Sequence, residues 1–260
     1  MVSAKKGDGN SKSDGEDYAE LSEYSDLRRK ELSRMLSPVV KVTDHYGALI
    51  CRVTKALGES PPTSAQDVVI RDLMADIFDF LWEWRRPLLE GRLQVAYPLA
   101  RRSYESLSLL SICAQDSSFA SAWERGKKIS NAEIRKALAV APMAESEEAL
   151  KDLYRFFSKG THPNRNLIAY RYLGEGNSFV LGSIGTPDLV LLTDHCIKLT
   201  QMWFWFTAVV GYFYREVIDK VDASFGKDYM KTAEEAKKVN VWLSENFNRL
   251  LEEGRDNRQK

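Results

Sequence analysis

Cysteine is scarce in this chain of 260 residues: Cys51, Cys113 and Cys196 are the only three. They are far apart, odd in number and form no CxxC pair. That excludes a disulfide framework and fits a reducing, cytoplasmic compartment. Histidine is equally sparse, and none of the three stands at metal-ligand spacing from a cysteine, so neither a metal nor a cofactor is expected. Net charge is absent, because Lys+Arg and Asp+Glu are both 37. Nucleic-acid binding through an overall basic field is thereby excluded, and any RNA contact must come from a local patch. No Walker loop, GxGxxG or GxSxG occurs, so P-loop, dinucleotide and serine-hydrolase chemistry lacks support. The longest uncharged aromatic run, 199–214, has 16 residues. At ~1.5 Å per residue it spans roughly 24 Å, short of the ~30 Å hydrocarbon layer. A buried core helix is expected there, and no membrane span. Residues 1–17 have no apolar h-region and are read as a disordered leader rather than a signal peptide.

What is present is helical periodicity. The clearest stripe is Leu189, Leu192, Cys196, Leu199, Trp203, Phe206, Val210, Phe213 and Val217, whose steps of three and four keep one face in line for about eight turns. Thr186 and Pro187 suit its cap and first position. This helix is expected to be the spine of the fold. A second helix is expected over 64–90, capped by Ser64 and ended by Gly91. A third runs over 93–115, and Ser130-Asn131-Ala132-Glu133 is a capping box opening a short one. Residues 147–159 form another, stopped by Gly160 and Pro163. Ala236, Val239, Leu243, Phe247 and Leu250 mark a last helix, after which Gly254 leads into a polar tail. The segment 18–57 is helical, bent by Pro38 or broken at Gly47. Two short strands, 168–173 and 178–181, are separated by Gly174-Glu175-Gly176-Asn177 and read as a hairpin packed on the bundle. The fold class is therefore all-α: one helical bundle over 18–253 with a small β-hairpin insertion near 168–181, between the leader and a tail of 254–260.

The candidate site lies in Tyr154-Arg155-Phe156-Phe157-Ser158-Lys159-Gly160-Thr161-His162-Pro163. A helix ending at Lys159 would let the chain turn, and His162 would fold back toward Arg155. The fixed cation would then lower the imidazole's proton affinity and keep it neutral, fit to act as a base. Between 151 and 174 the cations Lys151, Arg155, Lys159, Arg165 and Arg171 face a single carboxylate, Asp152. Tyr154, Tyr170 and Tyr172 lie among them. Basic groups interleaved with aromatics suit a phosphate-bearing strand whose bases can stack. The bland alternative is that Arg155 and His162 only satisfy the last carbonyls of a helix.

These residues resemble the Arg-x(4–6)-His signature of the HEPN superfamily. More narrowly, Tyr154-Arg155-x-x-Ser158-x-x-x-His162-Pro163 resembles a bacterial branch of HEPN-like proteins. In that branch an earlier helix carries an Arg-rich, Glu-bearing segment, followed by an acidic turn and a Trp. Here those are Arg101-Arg102-Ser103-Tyr104-Glu105, Gln115-Asp116 and Trp123-Glu124-Arg125-Gly126, and the resemblance covers roughly residues 67–213. The resemblance implies a homodimer with a composite site and metal-independent endoribonuclease action in a defence or toxin system, with RNA as substrate and an antitoxin or other protein as partner. Carried over, Arg155 would hold the scissile phosphate, His162 would move a proton, and Ser158 would orient either group. Glu105 and Arg102 would support them, and Lys159, Arg165 and Arg171 would bind RNA phosphates. Phe156 departs from the polar residue usual after the arginine, and many members of the superfamily are non-catalytic. The alternative reading is a non-catalytic module binding RNA, a nucleotide or a protein partner.

Other residues have plainer readings. Glu105 also sits at intrahelical ion-pair spacing from Arg101. Asp72, Asp76, Asp79 and Glu83 form an acidic stripe with no Glu-x-x-His beside it, so a solvated face is expected rather than a dimetal site. Cys51 and Cys113 fall on apolar faces and read as inert. His195 is a core-edge histidine, His45 sits near a bend without an evident partner, and the Trp pairs at 82/84 and 203/205 belong to the core.

Overall fold

The computed structural model describes residues 14–58, 61–141, 146–161, 172–173, 178–179 and 189–256. Ten helices occur among them: α1 (Asp14–Met35), α2 (Ser37–Leu57), α3 (Ala65–Leu89), α4 (Leu93–Gln115), α5 (Ser117–Glu124), α6 (Asn131–Leu138), α7 (Glu147–Thr161), α8 (Leu189–Phe213), α9 (Arg215–Val221) and α10 (Phe225–Asp256). The all-α bundle is the observed class. Of the expected hairpin, the described residues contain only Tyr172–Leu173 paired antiparallel with Ser178–Phe179, and the rest lies outside them.

Local chemistry sets most boundaries. Ser64 caps α3 by accepting from the Asp67 N–H at 3.1 Å. Gly91, at φ 71°, ends it in a Schellman turn, with Arg92 N donating to Pro87 O and Gly91 N to Leu88 O. Gly126, at φ 75°, does the same for α5. The capping box of Ser130 and Glu133 opens α6 with both reciprocal bonds in place.

Of the two interruptions expected in the first long segment, the one at Pro38 is seen: the chain breaks at Leu36, with Pro38 in the first turn of α2, and Gly47 lies inside that helix. Gly47 is buried in the helix, and a Cβ there would meet the Trp203 ring at 3.8 Å, an ordinary van der Waals distance, so neither a bend nor a lack of space calls for glycine. The spine helix ends at Phe213, so Val217 belongs to α9. Tyr214 sits at the break, and its hydroxyl donates to buried Asp67 on α3. The last helix starts at Phe225 and runs through Gly254 to Asp256, longer than its apolar stripe indicated. At the other end, α1 begins at Asp14, inside the stretch expected as a leader.

Helix α8 is the spine. It packs against α2, α3, α4 and α10, with Leu192, Cys196, Leu199, Trp203, Phe206 and Val210 buried. The three-residue turn at Gly91 folds α4 back along α3, and α7 and α6 lie on α4. A smaller apolar cluster of Ile112, Ile134, Leu138 and Leu150 fills the space between α4, α6 and α7.

Two polar knots tie distant parts of the chain. Arg52 on α2 gives Nε and Nη2 to Asp222 (2.7 and 2.8 Å), Nη1 to Asp228 (2.7 Å) and Nη2 also to Ser224 (2.8 Å). His45, within unbroken α2, meets Glu235 at 3.0 Å, so the bend and the missing partner expected for it are both corrected. The second knot is Asp67, which accepts from Arg71, from the Thr63 N–H and from Tyr214. Burial alone would raise its pKa. The Arg71, Thr63 and Tyr214 bonds outweigh burial and hold it at about 2.

Candidate functional site

Helix α7 begins at Ser146, whose hydroxyl accepts from the Ala149 N–H and whose carbonyl accepts from Leu150. Leu150 and Phe157 are buried, Leu153 and Tyr154 partly so, which turns one face of the helix onto α4. Arg155 projects from the other side. Its side chain is 56% exposed, and its ion pair is with Asp152, itself exposed, at 3.0 Å.

The bend expected after Lys159 is not there. Helix α7 passes through Gly160 to Thr161, whose hydroxyl donates to the Phe157 carbonyl. Glycine lowers helix propensity by only about 1 kcal/mol, and a packed apolar face overrides that. His162, Arg165 and Arg171 lie outside the described residues, as does the side chain of Lys159. Helix α7 thus runs past the stop expected at Lys159, and the position of His162 relative to Arg155 lies outside the described residues.

The supporting residues gather elsewhere. Ser158 has its Oγ buried without a hydrogen-bond partner, and it does not orient Arg155. Glu105 accepts from Arg101 Nε at 2.9 Å and from Asn131 Nδ2 at 3.0 Å. Arg102 reaches Asp76 at 3.3 Å and lies over the Phe80 ring at 5.5 Å. Neither Glu105 nor Arg102 bonds to Arg155. Asp76, taken in sequence as part of a solvated stripe, is half-buried and also accepts from Ser106 at 2.7 Å, latching α3 to α4. Asp72, Asp79 and Glu83 are exposed as expected, and no group of residues suited to a metal occurs among the described residues.

The residues that do converge surround Tyr154. Arg101 donates from Nη2 to its hydroxyl at 3.1 Å, and the guanidinium carbon lies 5.3 Å from the ring centre. Arg135 on α6 lies 4.8 Å from the same ring centre. Asn131 and Arg135 are four apart on α6 and so share a face. That spacing, set against the Arg101–Glu105 spacing on α4, was the only sequence signal for this cluster, and it gives no hint that Tyr154 would join them.

Phe156 also acquires a reason. It packs against Tyr97 (5.6 Å) and His195 (5.5 Å), with the Lys198 ammonium 4.3 Å above its ring. A polar residue would not fit that place. His195 is fully buried among Trp84, Tyr97 and Phe156, deeper than the core edge expected for it, and neither ring nitrogen has a hydrogen-bond partner. Burial, aided by the charge of Lys198, lowers its pKa to about 3. Cys113 and Cys196 are buried, and burial pushes each thiol up to about 12, whereas Cys51 is exposed, against expectation.

Compared with known proteins, the chain matches no family model, no curated protein and no solved structure. No helix among the described residues is long and apolar enough to cross a membrane.

Proposed function

We propose that this chain is an HEPN-like module that binds RNA through the outer face of α7, Arg155 supplying a phosphate contact. The observation that carries the reading is the state of Arg155. It projects from a well-packed helix, and it is held only by an exposed carboxylate three residues earlier, a pairing worth little in water and easily exchanged for phosphate. The local excess of cations in the sequence between 151 and 174 supports the same reading. The setting we favour is a cytoplasmic defence or toxin–antitoxin system in which the chain acts as a homodimer, with an antitoxin or other protein as partner.

Metal-independent endoribonuclease activity is the second reading. What favours it is the spacing Arg155-x(6)-His162, within the range of the resembled signature. The chemistry would use the composite site that the resemblance implies, at which Arg155 and His162 of two subunits face one phosphate.

Fluorescence anisotropy with a labelled single-stranded RNA tests the first reading. Arg155→Ala is expected to weaken binding about tenfold, the worth of one charge-assisted contact, with Arg155→Lys intermediate. Unchanged affinity in Arg155→Ala sinks the assignment. Incubation with RNA in EDTA tests the second reading. Products with 2′,3′-cyclic phosphate ends that vanish in His162→Ala support cleavage, and intact RNA rules it out.

A further inference from the structure

Beside Tyr154 the described residues of α3, α4, α5, α6, α7 and the loop before α6 line an open cleft of about 540 Å³. One wall is cationic: Arg102, Lys128 and Arg135 face the single carboxylate Glu105. That carboxylate is already engaged by Arg101 and Asn131, so its charge is largely answered within the protein. The lining also includes apolar residues, Trp123, Ile129 and Ile134 among them. The volume falls in the range of small-molecule sites, which pair apolar walls with a few convergent polar groups.

Two details mark the cationic wall as more than solvated surface. Arg135 stacks on Tyr154, yet its Nη1 is shut off from water and has no hydrogen-bond partner. A guanidinium N–H left without a partner is costly, and an anion received in the cleft relieves it after a small rotation of the side chain. Lys128, exposed on the loop before α6, has no carboxylate paired with it among the described residues. The first turn of α6, whose Ser130 and Asn131 line the same cleft, adds the positive end of a helix. The Tyr154 ring already carries two guanidinium groups, those of Arg101 and Arg135, so an aromatic ligand is better received at Trp123.

We propose that this cleft binds a nucleotide-sized phosphate ester, the phosphate between Arg135 and Lys128 and the base against Trp123. The proposal does not rest on the RNA reading, since Arg155 is not part of the cleft.

Isothermal titration of the full chain with AMP, GMP, CMP and UMP, with adenosine and inorganic phosphate alongside, tests it. At least one mononucleotide is expected to bind ten times or more tighter than either adenosine or phosphate alone. Arg135→Gln is expected to weaken that binding about 10- to 100-fold and Lys128→Ala several-fold, as the loss of one charged contact requires. Arg215→Gln, on exposed α9, should leave it unchanged. Should Arg135→Gln fail to fold, the exposed Lys128→Ala decides. No mononucleotide binding, adenosine binding as tightly as AMP, or affinities indifferent to both variants would overturn the proposal.

Discussion

His195 carries two polar nitrogens into a place that offers neither a partner. Its pKa of about 3 lies below the ~6.5 of an unfolded chain. The unfolded state therefore takes up a proton first, and the stability is complete above pH ~6.5 and falls as pH drops toward 3. Urea denaturation at a series of pH values should show wild type losing about 1.4 kcal/mol per pH unit relative to His195→Leu below pH ~6, and parallel curves would show that the ring is not protected. Asp67 behaves with the same sense in a more acid window. Its folded pKa of about 2 lies below the usual carboxylate value, so its contribution is present above pH ~4 and lost as pH falls through 2. Asp67→Ala strands Arg71 and Tyr214, and we expect a loss of about 3 kcal/mol in chemical denaturation at neutral pH; a loss below about 1 kcal/mol would mean that the knot contributes little. The sequence marked His195 as a core-edge histidine and did not single out Asp67. Apolar neighbours placed His195 near the core, but its depth depends on Tyr97 and Phe156 arriving from two other helices. The same limit applies to Trp82, assigned to the core beside Trp84. It stands outside, 48% exposed, with Arg85 4.6 Å from its ring centre.

Helix boundaries were legible where a local motif sets them. Leu93–Gln115 and the capping box of α6 fall where the sequence places them, as does the Gly91 stop. Boundaries set by tertiary contact were not. Nothing local breaks the chain at Tyr214; its hydroxyl is drawn to Asp67. Gly160 looks like a stop and is not one, since α7 continues to Thr161. Glycine is thus informative by backbone angle rather than by identity, which two substitutions can check by thermal unfolding. Gly91→Ala forces a side chain into the left-handed region at φ 71° and should cost about 1–2 kcal/mol. Gly226→Ala, inside α10 with nothing within 4 Å of the new Cβ, should stabilise by about 0.5 kcal/mol. Equal shifts at both sites would contradict the difference in backbone.

At the scale of the molecule, balanced charge limits how any RNA can be held. With a net charge of zero, only the few cations of one face can contact phosphates. Three to five such contacts predict a log–log salt dependence of RNA affinity with slope about −2 to −3.5. A slope much steeper would require a basic surface that the composition does not supply. The bundle architecture and its spine were readable from the three–four stripe of α8 alone, because burying that stripe leaves few alternatives. The cleft was not readable, because it is assembled from several helices, with lining residues as far apart in sequence as Leu73 and Tyr154.

The Arg52 knot sets an order on the life of the chain. Arg52 leaves the ribosome long before Asp222 and Asp228, its partners some 170 residues later. Until α10 emerges, α2 has neither its ionic clasp nor one of the principal helices that pack against it. Release of a nascent chain stalled before residue 222 should therefore yield a species captured by chaperones and readily digested, and resistance to protease should arrive late, in one step, with the final helix.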